Sequence, residues 1–540
     1  MFKSADYREW YLQKPGKAYL WLALVALVLL LTAYLSHLGY LPVDPRTDEN
    51  RRALVTLEMM HRGDYIVPTL NGVDYLNKPP LYNWIIAVSY KVFGVNAFAL
   101  RFPVILFLFL FGTIIYAFLK KQVSQKFAIL AALFFITNGR ILFYDGLLGL
   151  IDIAFSGMVY LSFIGIYHWG EKKHFWKLFL LTWLATALAF LMKGIPALFF
   201  QATSLLIYFG WKKEFRRLLS LKSMVGLLVF LLVAGGYYAA YFLVSNVTLS
   251  EMFGNMLNEN TKRTVTQSEV SSTLKHVFSY PFSWFYHFAP WAIMAITAFR
   301  KDFLQKLRGH DFMMYNALVF LPGFFIYWLS PNIETAARYY FMLVPVLYTV
   351  SLWIYLESRP QSLPRKIVDG LLWIFFGALL LGVIAPPFIK EIESTHLLIP
   401  KSILLAVSLG VLFWLAMRKP NYRLLAFVLM LGFARMAFNS FVVENRGGYQ
   451  QEQIAHFETV IEKVDPSKLF LEKRAYTGNT DGFSYLYMLR TGKILQASDT
   501  IVPGNFYITG SEAARKYPHR LLYRWPNYVS NDVWLVEATR

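Results

Sequence analysis

Apolar residues occur along this chain in long blocks that are separated by short charged segments. Most blocks run for about 17 to 22 residues, which is the length a helix needs to cross a bilayer. The pattern predicts an all-α polytopic membrane protein with about 13 transmembrane helices. The predicted spans lie near 20–38, 101–119, 127–143, 153–169, 175–192, 195–210, 223–243, 283–299, 312–330, 338–356, 367–386, 401–417 and 422–441.

The distribution of lysine and arginine predicts the orientation of these spans. Every second connecting segment is rich in Lys and Arg, whereas the short turns on the other side contain only Lys193, Arg338 and Lys390. Because basic loops favour the cytoplasmic side, we expect a cytoplasmic N-terminus. The segments 39–101, 244–282 and 444–540 are then predicted to lie outside.

The apolar segment Pro79–Phe93 is too short for a span, and counting it as one would invert every later loop. Its apolar residues share one helical face: Leu81, Trp84, Ile85, Val88 and Val92. This periodicity predicts an interfacial helix on the outer surface of the membrane.

The segment after the last span is more polar and has mixed periodicity. It contains a helix-like stretch near 449–463 and strand-like runs at 467–471, 505–509 and 533–537. We therefore expect two parts, a transmembrane domain over 1–443 and a small extracytoplasmic α/β domain over 444–540.

Composition narrows the class of protein further. Of 540 residues, 56% are hydrophobic and 16% are charged, against about 25% charged in soluble proteins. This excludes a soluble enzyme, a coiled coil and a disordered chain as the main body. The net charge is +20, and the basic residues cluster between the apolar blocks. This is the pattern that sets the orientation of spans in a membrane, so the charge does not indicate a nucleic-acid partner. With no cysteine, disulfides, thiolate metal sites and cysteine nucleophiles are excluded.

Three motifs on the predicted outer side could carry chemistry. Asp48 and Glu49 begin a predicted helix, where N-terminal capping explains them as well as catalysis does. Lys78 precedes two prolines at headgroup depth, where a lysine serves either as a membrane anchor or as a phosphate partner. Asp145 and Asp152 flank the mouth of an apolar helix, where a carboxylate is either a helix cap or functional.

Further polar residues are predicted on the same face of the membrane. They are Lys193, Glu259, Asn260, Arg263 and Arg338. Each alone is typical of an interfacial anchor. Together they indicate a site at headgroup depth that suits a lipid with a phosphate head.

The ordered set of motifs resembles the superfamily of GT-C glycosyltransferases that includes the lipid A aminoarabinose transferase and the protein O-mannosyltransferases. The resemblance covers roughly residues 20–350. The motifs are Asp48-Glu49, Gly63–Pro68, Lys78-Pro79-Pro80-Leu81, Phe93-Gly94, Arg101-Phe102-Pro103, Asp152, Lys193-Gly194, Glu259-Asn260 with Arg263, and Pro290-Trp291.

The resemblance implies a transferase in a bacterial inner membrane, with polyprenyl phosphate, such as undecaprenyl phosphate, as the lipid carrier of the sugar. Its acceptor would be a hydroxyl or phosphate of lipid A, a glycan or a protein, and the anomeric centre would be inverted. By this resemblance Asp48 is the catalytic carboxylate, Asp152 the second acidic position and Glu49 a further catalytic candidate. The implied ligands of the donor phosphate are Lys78, Lys193, Arg263 and Arg338. Asn77, Asp145, Glu259 and Asn260 are further site candidates.

One position departs from the family pattern. Where the aminoarabinose transferases have a Glu before Lys-Pro-Pro, a residue associated there with a metal, this chain has Asn77. A neutral amide is a weaker ligand for a divalent ion. No cofactor is therefore certain from the sequence: a divalent metal stays an open alternative that we do not expect to be tightly held, with Glu259 and His276 as its weak ligand candidates.

Two alternatives remain at this stage. A transporter would carry polar residues within its spans, whereas this chain concentrates them in the outer loops. A non-catalytic scaffold for glycan assembly would have no need to combine Asp48, Lys78 and Asp152. The position of the polar residues and the combination of these three side chains therefore both favour an enzyme over a transporter or a scaffold.

Overall fold

The structure is a computed structural model that describes residues 4–44, 47–245, 247–248, 250–251, 254, 270–329, 336–393, 395–472, 480–526 and 532–540. Helices dominate it. The first helices are α1 (Ser4–Leu12), α2 (Lys17–Leu35), α3 (Asp48–Arg62), α4 (Leu81–Phe93), α5 (Ala97–Gln122), α6 (Gln125–Ile136), α7 (Gly139–Phe143), α8 (Asp152–Glu171), α9 (Phe175–Lys193) and α10 (Pro196–Trp211). The next are α11 (Leu221–Phe230), α12 (Gly236–Val244), α13 (Val270–His287), α14 (Phe303–Arg308), α15 (Asp311–Trp328), α16 (Val344–Glu357), α17 (Leu363–Ile384), α18 (Leu398–Arg418) and α19 (Arg423–Phe438).

Seven of the described helices are long and apolar enough to cross a membrane, and an eighth is added if the bent pair Gln125–Ile136 and Gly139–Leu147 counts as one span. The chain is thus an integral membrane protein with the predicted all-α core, while the total of about 13 spans remains a prediction. Several predicted spans are not single α-helices. The predicted span 283–299 is divided between α13 and the 3-10 helix Trp291–Ala298. Pro290, which has no N–H to donate, lies at this division.

The predicted interfacial helix is α4. Tyr82, Asn83 and Ile86 on one side of it are buried against the protein, whereas Val88 is 62% and Val92 67% exposed on the other. Of the apolar face predicted from the sequence, Val88 and Val92 are therefore exposed, whereas Leu81, Trp84 and Ile85 are half-buried and pack against the main apolar core. This arrangement fits a helix that lies on a lipid surface.

The C-terminal part is the predicted small α/β region. It contains α20 (Gly448–Lys463), β3 (Leu469–Glu472), α21 (Asp481–Thr491), β4 (Ala497–Ser498), β5 (Phe506–Gly510), α22 (Ser511–Ala514), β6 (His519–Trp525) and β7 (Val533–Ala538); β1 (Thr69–Leu70) and β2 (Val73–Asp74) form a separate hairpin before α4. The five-stranded sheet has the order β4-β3-β5-β7-β6, with β3 parallel to both β4 and β5 and with β7 antiparallel to its neighbours.

Apolar packing and a backbone hydrogen bond are among the contacts that join this sheet region to the segment between α2 and α5. The buried residues Tyr485 and Met488 of α21 belong to the same apolar core as the transmembrane helices and pack with residues of α3 and α4. The backbone N–H of Ala497 donates to the carbonyl of Asn71 at 3.0 Å, next to the hairpin β1–β2. The C-terminal part is therefore docked on the segment that carries Asp48.

Candidate functional site

Local sequence determines where α3 begins and ends. The Thr47 hydroxyl accepts a hydrogen bond from the backbone N–H of Glu49 at 3.3 Å, which is a capping contact at the helix start. Gly63, with φ of 67°, ends the helix in the left-handed conformation that glycine adopts without strain. Most of the helix is buried, so its packing against the protein holds the first residue, Asp48, in place.

A cleft forms where α3, the loop before α4, the start of α8, the end of α9 and the 3-10 helix Ala336–Tyr340 meet. Its walls are Asp48, Arg51, Arg52, Tyr75, Asn77, Lys78, Leu150, Ile151, Asp152, Lys193, Arg338 and Tyr339. Six of these residues were singled out from the sequence: Asp48, Asn77, Lys78, Asp152, Lys193 and Arg338. The fold thus brings together residues that are up to 290 positions apart.

Arg338 lies between the two carboxylates of the cleft. Its Nη2 donates to Oδ2 of Asp48 at 2.8 Å, and its Nε is 3.8 Å from Oδ2 of Asp152. Asp152 in turn accepts a hydrogen bond from Lys193, and both of these side chains are buried. Asp48 is the accessible member of the set, with 43% of its side chain exposed.

The charges around Asp48 keep it ionised. Desolvation alone would raise the pKa of this carboxyl, but the positive charges of Arg338, Arg51 and Arg52 outweigh it and lower the pKa to about 2. Asp48 is therefore a carboxylate at any physiological pH, and in this arrangement it is a weak base.

Two arginines of the cleft were missed by the sequence reasoning. The Arg52 side chain is buried and donates to the hydroxyl of Tyr75, while its Nη1 is buried with no hydrogen-bond partner among the described residues. Arg51 Nε donates to Oδ2 of Asp481 at 2.7 Å, and its Nη1 is 3.7 Å from Oδ1 of Asp48. Helical spacing was the available signal, because residues three and four positions after Asp48 share its face.

The cleft carries an excess of positive charge. Its lining includes five cationic side chains and two carboxylates, so cations exceed anions by three. A site with this balance attracts an anion, and guanidinium and ammonium groups are the usual partners of phosphate.

Glu49, predicted as a catalytic candidate, does not reach the cleft. Its fully buried carboxylate accepts hydrogen bonds from Arg101 Nε at 2.7 Å and Nη2 at 2.9 Å, and from the N–H of Gly149 at 2.7 Å. These bonds tie α3 to α5 and to the turn before α8. Glu49 is therefore buried and does not line the cleft, so the structure favours a structural role, while its place among the catalytic residues stays a prediction.

Asp145 also lies outside the cleft lining. It is 2% exposed and accepts a hydrogen bond from Arg140 Nε at 2.7 Å. It therefore belongs to the buried turn between α7 and α8 and not to the accessible surface of the cleft.

The remaining candidates do not assemble into a metal site within the described residues. Glu259, Asn260 and Arg263 lie outside the part of the chain that the structure describes. His276 Nε2 is 3.3 Å from the carbonyl of Tyr327 and does not line the cleft. Among the described residues no group of three or more His, Asp or Glu side chains could hold a metal ion. Asn77 lines the cleft but brings no charge, so the described cleft residues do not fit a tightly bound divalent ion.

Sequence comparisons connect part of the chain to lipid-dependent sugar transferases. Residues 77–238 match the family model described as dolichyl-phosphate-mannose-protein mannosyltransferase. An uncharacterized protein of Aquifex aeolicus is 30% identical over 244 residues, 44% of this chain and 47% of that protein. The undecaprenyl phosphate-alpha-4-amino-4-deoxy-L-arabinose arabinosyl transferase of Photorhabdus laumondii is 30% identical over 179 residues, 32% of each chain. The chain thus matches less than half the length of these curated relatives.

The fold comparison covers nearly the whole chain. ArnT from Cupriavidus metallidurans bound to undecaprenyl phosphate superposes with a TM-score of 0.65 over 95% of this chain and 97% of that one, at 14% identity. Its apo form superposes with a TM-score of 0.63. The fold is shared, and the resemblance noted in the sequence is confirmed.

Proposed function

We propose, from a GT-C fold that carries this cleft, that the protein is a membrane glycosyltransferase with a polyprenyl-phosphate sugar as donor. The sugar would pass to a hydroxyl or phosphate of lipid A, a glycan or a protein. The observation that carries the proposal is the convergence of Asp48 and Asp152 with five cationic side chains in one cleft. The names of the relatives support the donor class, and the Lys and Arg distribution supports an outer-face site in a bacterial inner membrane.

The donor phosphate would lie against the cationic side of the cleft. Lys78, Arg52 and Arg338 all line the cleft and would be the ligands of the phosphate. Nη1 of Arg52 has no hydrogen-bond partner among the residues that the structure describes, and this supports the placement, because a buried charged donor without an acceptor is costly and a phosphate oxygen would satisfy it. Lys193 would act indirectly, through Asp152, because the two side chains are paired.

Asp48 would serve as the general base. The acceptor oxygen bonds to the anomeric carbon while the carbon–oxygen bond to the donor phosphate breaks. The acceptor proton passes to the Asp48 carboxylate, and the electron pair of the broken bond leaves with polyprenyl phosphate. Cations around the phosphate stabilise the charge that develops there. A single displacement of this kind inverts the anomeric centre.

Donor binding also provides a way to strengthen this base. In the donor-free structure Arg338 and Arg51 hold the pKa of Asp48 low, after the opposing effect of desolvation is overcome. A phosphate in the cleft competes with Asp48 for both guanidinium groups. The pKa of Asp48 therefore rises when the donor binds, and the carboxylate becomes a better proton acceptor at the moment of transfer.

The test is turnover of a panel of polyprenyl-phosphate sugars by the purified wild-type protein, with and without an acceptor-containing membrane extract. Release of free polyprenyl phosphate is measured. We expect one donor to be consumed, and Asp48→Asn to slow its consumption by about 10²- to 10⁴-fold. Asp74→Asn is the matched control, because Asp74 is an exposed carboxylate of the same loop outside the cleft. Absence of both turnover and binding for every donor would overturn the proposal.

The proposed reaction includes no metal step. We expect transfer to continue after the protein has been treated with EDTA and dialysed, because the cleft offers the amide of Asn77 in place of a third carboxylate. Loss of transfer that added Mg²⁺ or Zn²⁺ restores would contradict this expectation.

A further inference from the structure

The C-terminal domain reaches the cleft through the first residue of α21. The Asp481 carboxylate is fully buried and accepts a hydrogen bond of 2.7 Å from Nε of Arg51, a residue 430 positions earlier in the chain. Arg51 is one of the cations that line the cleft. The C-terminal domain, although distant in sequence, thus contacts a residue that lines the cleft.

Arg51 lies between two carboxylates, and it is held more closely by one of them. Its Nε is within hydrogen-bond distance of Asp481, while its Nη1 remains 3.7 Å from Oδ1 of Asp48, which is beyond a hydrogen bond. A guanidinium is a rigid planar fork, so an acceptor at Nε also sets the direction of both terminal nitrogens. The bond to Asp481 therefore orients the guanidinium group that approaches Asp48.

The position of the domain does not depend on this ion pair alone. Tyr485 and Met488 of α21 are buried in the main apolar core, and Ala497 bonds to the backbone of Asn71. Loss of the Asp481 charge should therefore leave the domain docked. The effect of Asp481 on Arg51 can then be studied in the intact protein.

We propose that Asp481 is a positioning residue for sugar transfer, which holds Arg51 away from Asp48 so that this carboxylate stays available as the base. The inference rests on the proposed function. In Asp481→Asn, a neutral amide competes poorly with Asp48 for the guanidinium. Arg51 then moves toward Asp48, which is already bound to Arg338, and the carboxylate becomes a weaker proton acceptor.

The experiment is a double-mutant cycle on the full-length protein with the donor that the wild type consumes. Values of kcat and KM are measured for Asp481→Asn in the native chain and in the Arg51→Ala background. We expect kcat to fall about tenfold in the native chain, as for the loss of one charge-assisted hydrogen bond, with a smaller change in KM. In the Arg51→Ala background the same substitution should change kcat by less than about twofold, because the effect passes through Arg51.

Glu537→Gln is the matched control. Glu537 lies in β7 of the same domain and pairs with Arg520 at 2.7 Å, and neither residue lines the cleft. Its kcat should equal that of the wild type. Undiminished kcat in Asp481→Asn would overturn the inference, and so would an equal loss in the Arg51→Ala background, since that result shows a structural role.

Hydrogen exchange of the donor-free protein separates this inference from the proposed function. Asp481→Asn should increase deuterium uptake in the first turns of α3 and α21, whereas Glu537→Gln should not. Wild-type protein that neither binds nor consumes any donor would overturn the proposed function and the positioning role together. Donor turnover by the wild type, with neither the exchange nor the kcat effect in Asp481→Asn, would overturn the inference alone.

Discussion

Arg338 donates a 2.8 Å hydrogen bond to Asp48, although the two residues are 290 positions apart and lie on different elements. The same guanidinium also approaches Asp152 at 3.8 Å. The cleft is therefore organised around one cation that both carboxylates share. Its removal should affect the base and the binding of the anion at once.

Replacement of Arg338 by Gln should reduce kcat/KM for the donor by about 10²- to 10³-fold, because a positioned cation that meets charge at the leaving phosphate is lost. Turnover of the donor measures this effect. The matched control is Arg308→Gln, since Arg308 is exposed on a predicted cytoplasmic segment. Activity equal to that of the wild type would mean that Arg338 does not contact the donor phosphate.

The pH dependence of transfer should differ between kcat/KM and kcat. The kcat/KM profile reports the donor-free protein, in which the pKa of Asp48 is about 2. We expect no acidic limb from Asp48 in kcat/KM between about pH 5 and 8. The donor raises this pKa, so kcat should begin to fall at a higher pH than kcat/KM as the solution is acidified.

The Arg338→Gln variant tests whether Asp48 is the group that titrates in this profile. Loss of a neighbouring positive charge raises the pKa of a carboxyl, so protonation of Asp48 should begin at higher pH in the variant. The acidic limb of kcat/KM should shift upward relative to the wild type. A limb that stays in place, or moves down, would show that the titrating group is not Asp48.

Sequence reasoning located six cleft residues because the family motifs keep their order and because charge distribution assigns them all to one side. It placed Glu49 among the catalytic candidates because an N-terminal carboxylate beside Asp48 has the same local pattern whether it faces solvent or the interior. Only the packing of α5 shows that Arg101 covers it.

Other parts could not be predicted from local patterns. The pairing of Arg51 with Asp481 spans 430 positions, and no periodicity or motif encodes such a contact. β6, which runs from His519 to Trp525 and mixes basic and apolar residues without a strict alternation, was not predicted either. It lies at an edge of the sheet, where charged side chains are common and obscure the strand pattern.

The anchoring role of Glu49 predicts a stability effect. Glu49→Gln leaves the buried guanidinium of Arg101 without its counter-charge, so the free energy of unfolding should fall by about 3 kcal/mol. Denaturant unfolding in detergent, followed by tryptophan fluorescence, measures this change. Asp74→Asn, which alters an exposed carboxylate of the same loop, should leave stability unchanged. If Glu49→Gln instead leaves stability unaltered but abolishes sugar transfer, Glu49 acts in catalysis.

Lys78 should contribute to donor binding in a way that the nearby Lys91 does not. Both lysines flank or lie in α4, but Lys78 lines the cleft whereas Lys91 is exposed and lies 5.3 Å from the ring centroid of Tyr65. Lys78→Ala should raise the KM for the donor about tenfold through loss of a charged phosphate contact. Lys91→Ala should not. Equal effects of the two substitutions would indicate general attraction to the membrane surface.

The orientation predicted from the basic loops can be tested directly, because the chain contains no cysteine and needs no background substitutions. In intact cells, a membrane-impermeant maleimide should label Asp74→Cys, on the exposed hairpin of the loop that carries Asp48. It should label Lys213→Cys, in the basic segment between α10 and α11, only after the membrane has been permeabilised. Since Asp74 and the cleft belong to one docked unit, labelling of Asp74→Cys from outside would place the cleft where lipid-linked sugars, rather than nucleotide sugars, are the available donors. The reverse labelling would show that the protein has the opposite orientation in the membrane. The location of the cleft would then no longer support a polyprenyl-phosphate donor.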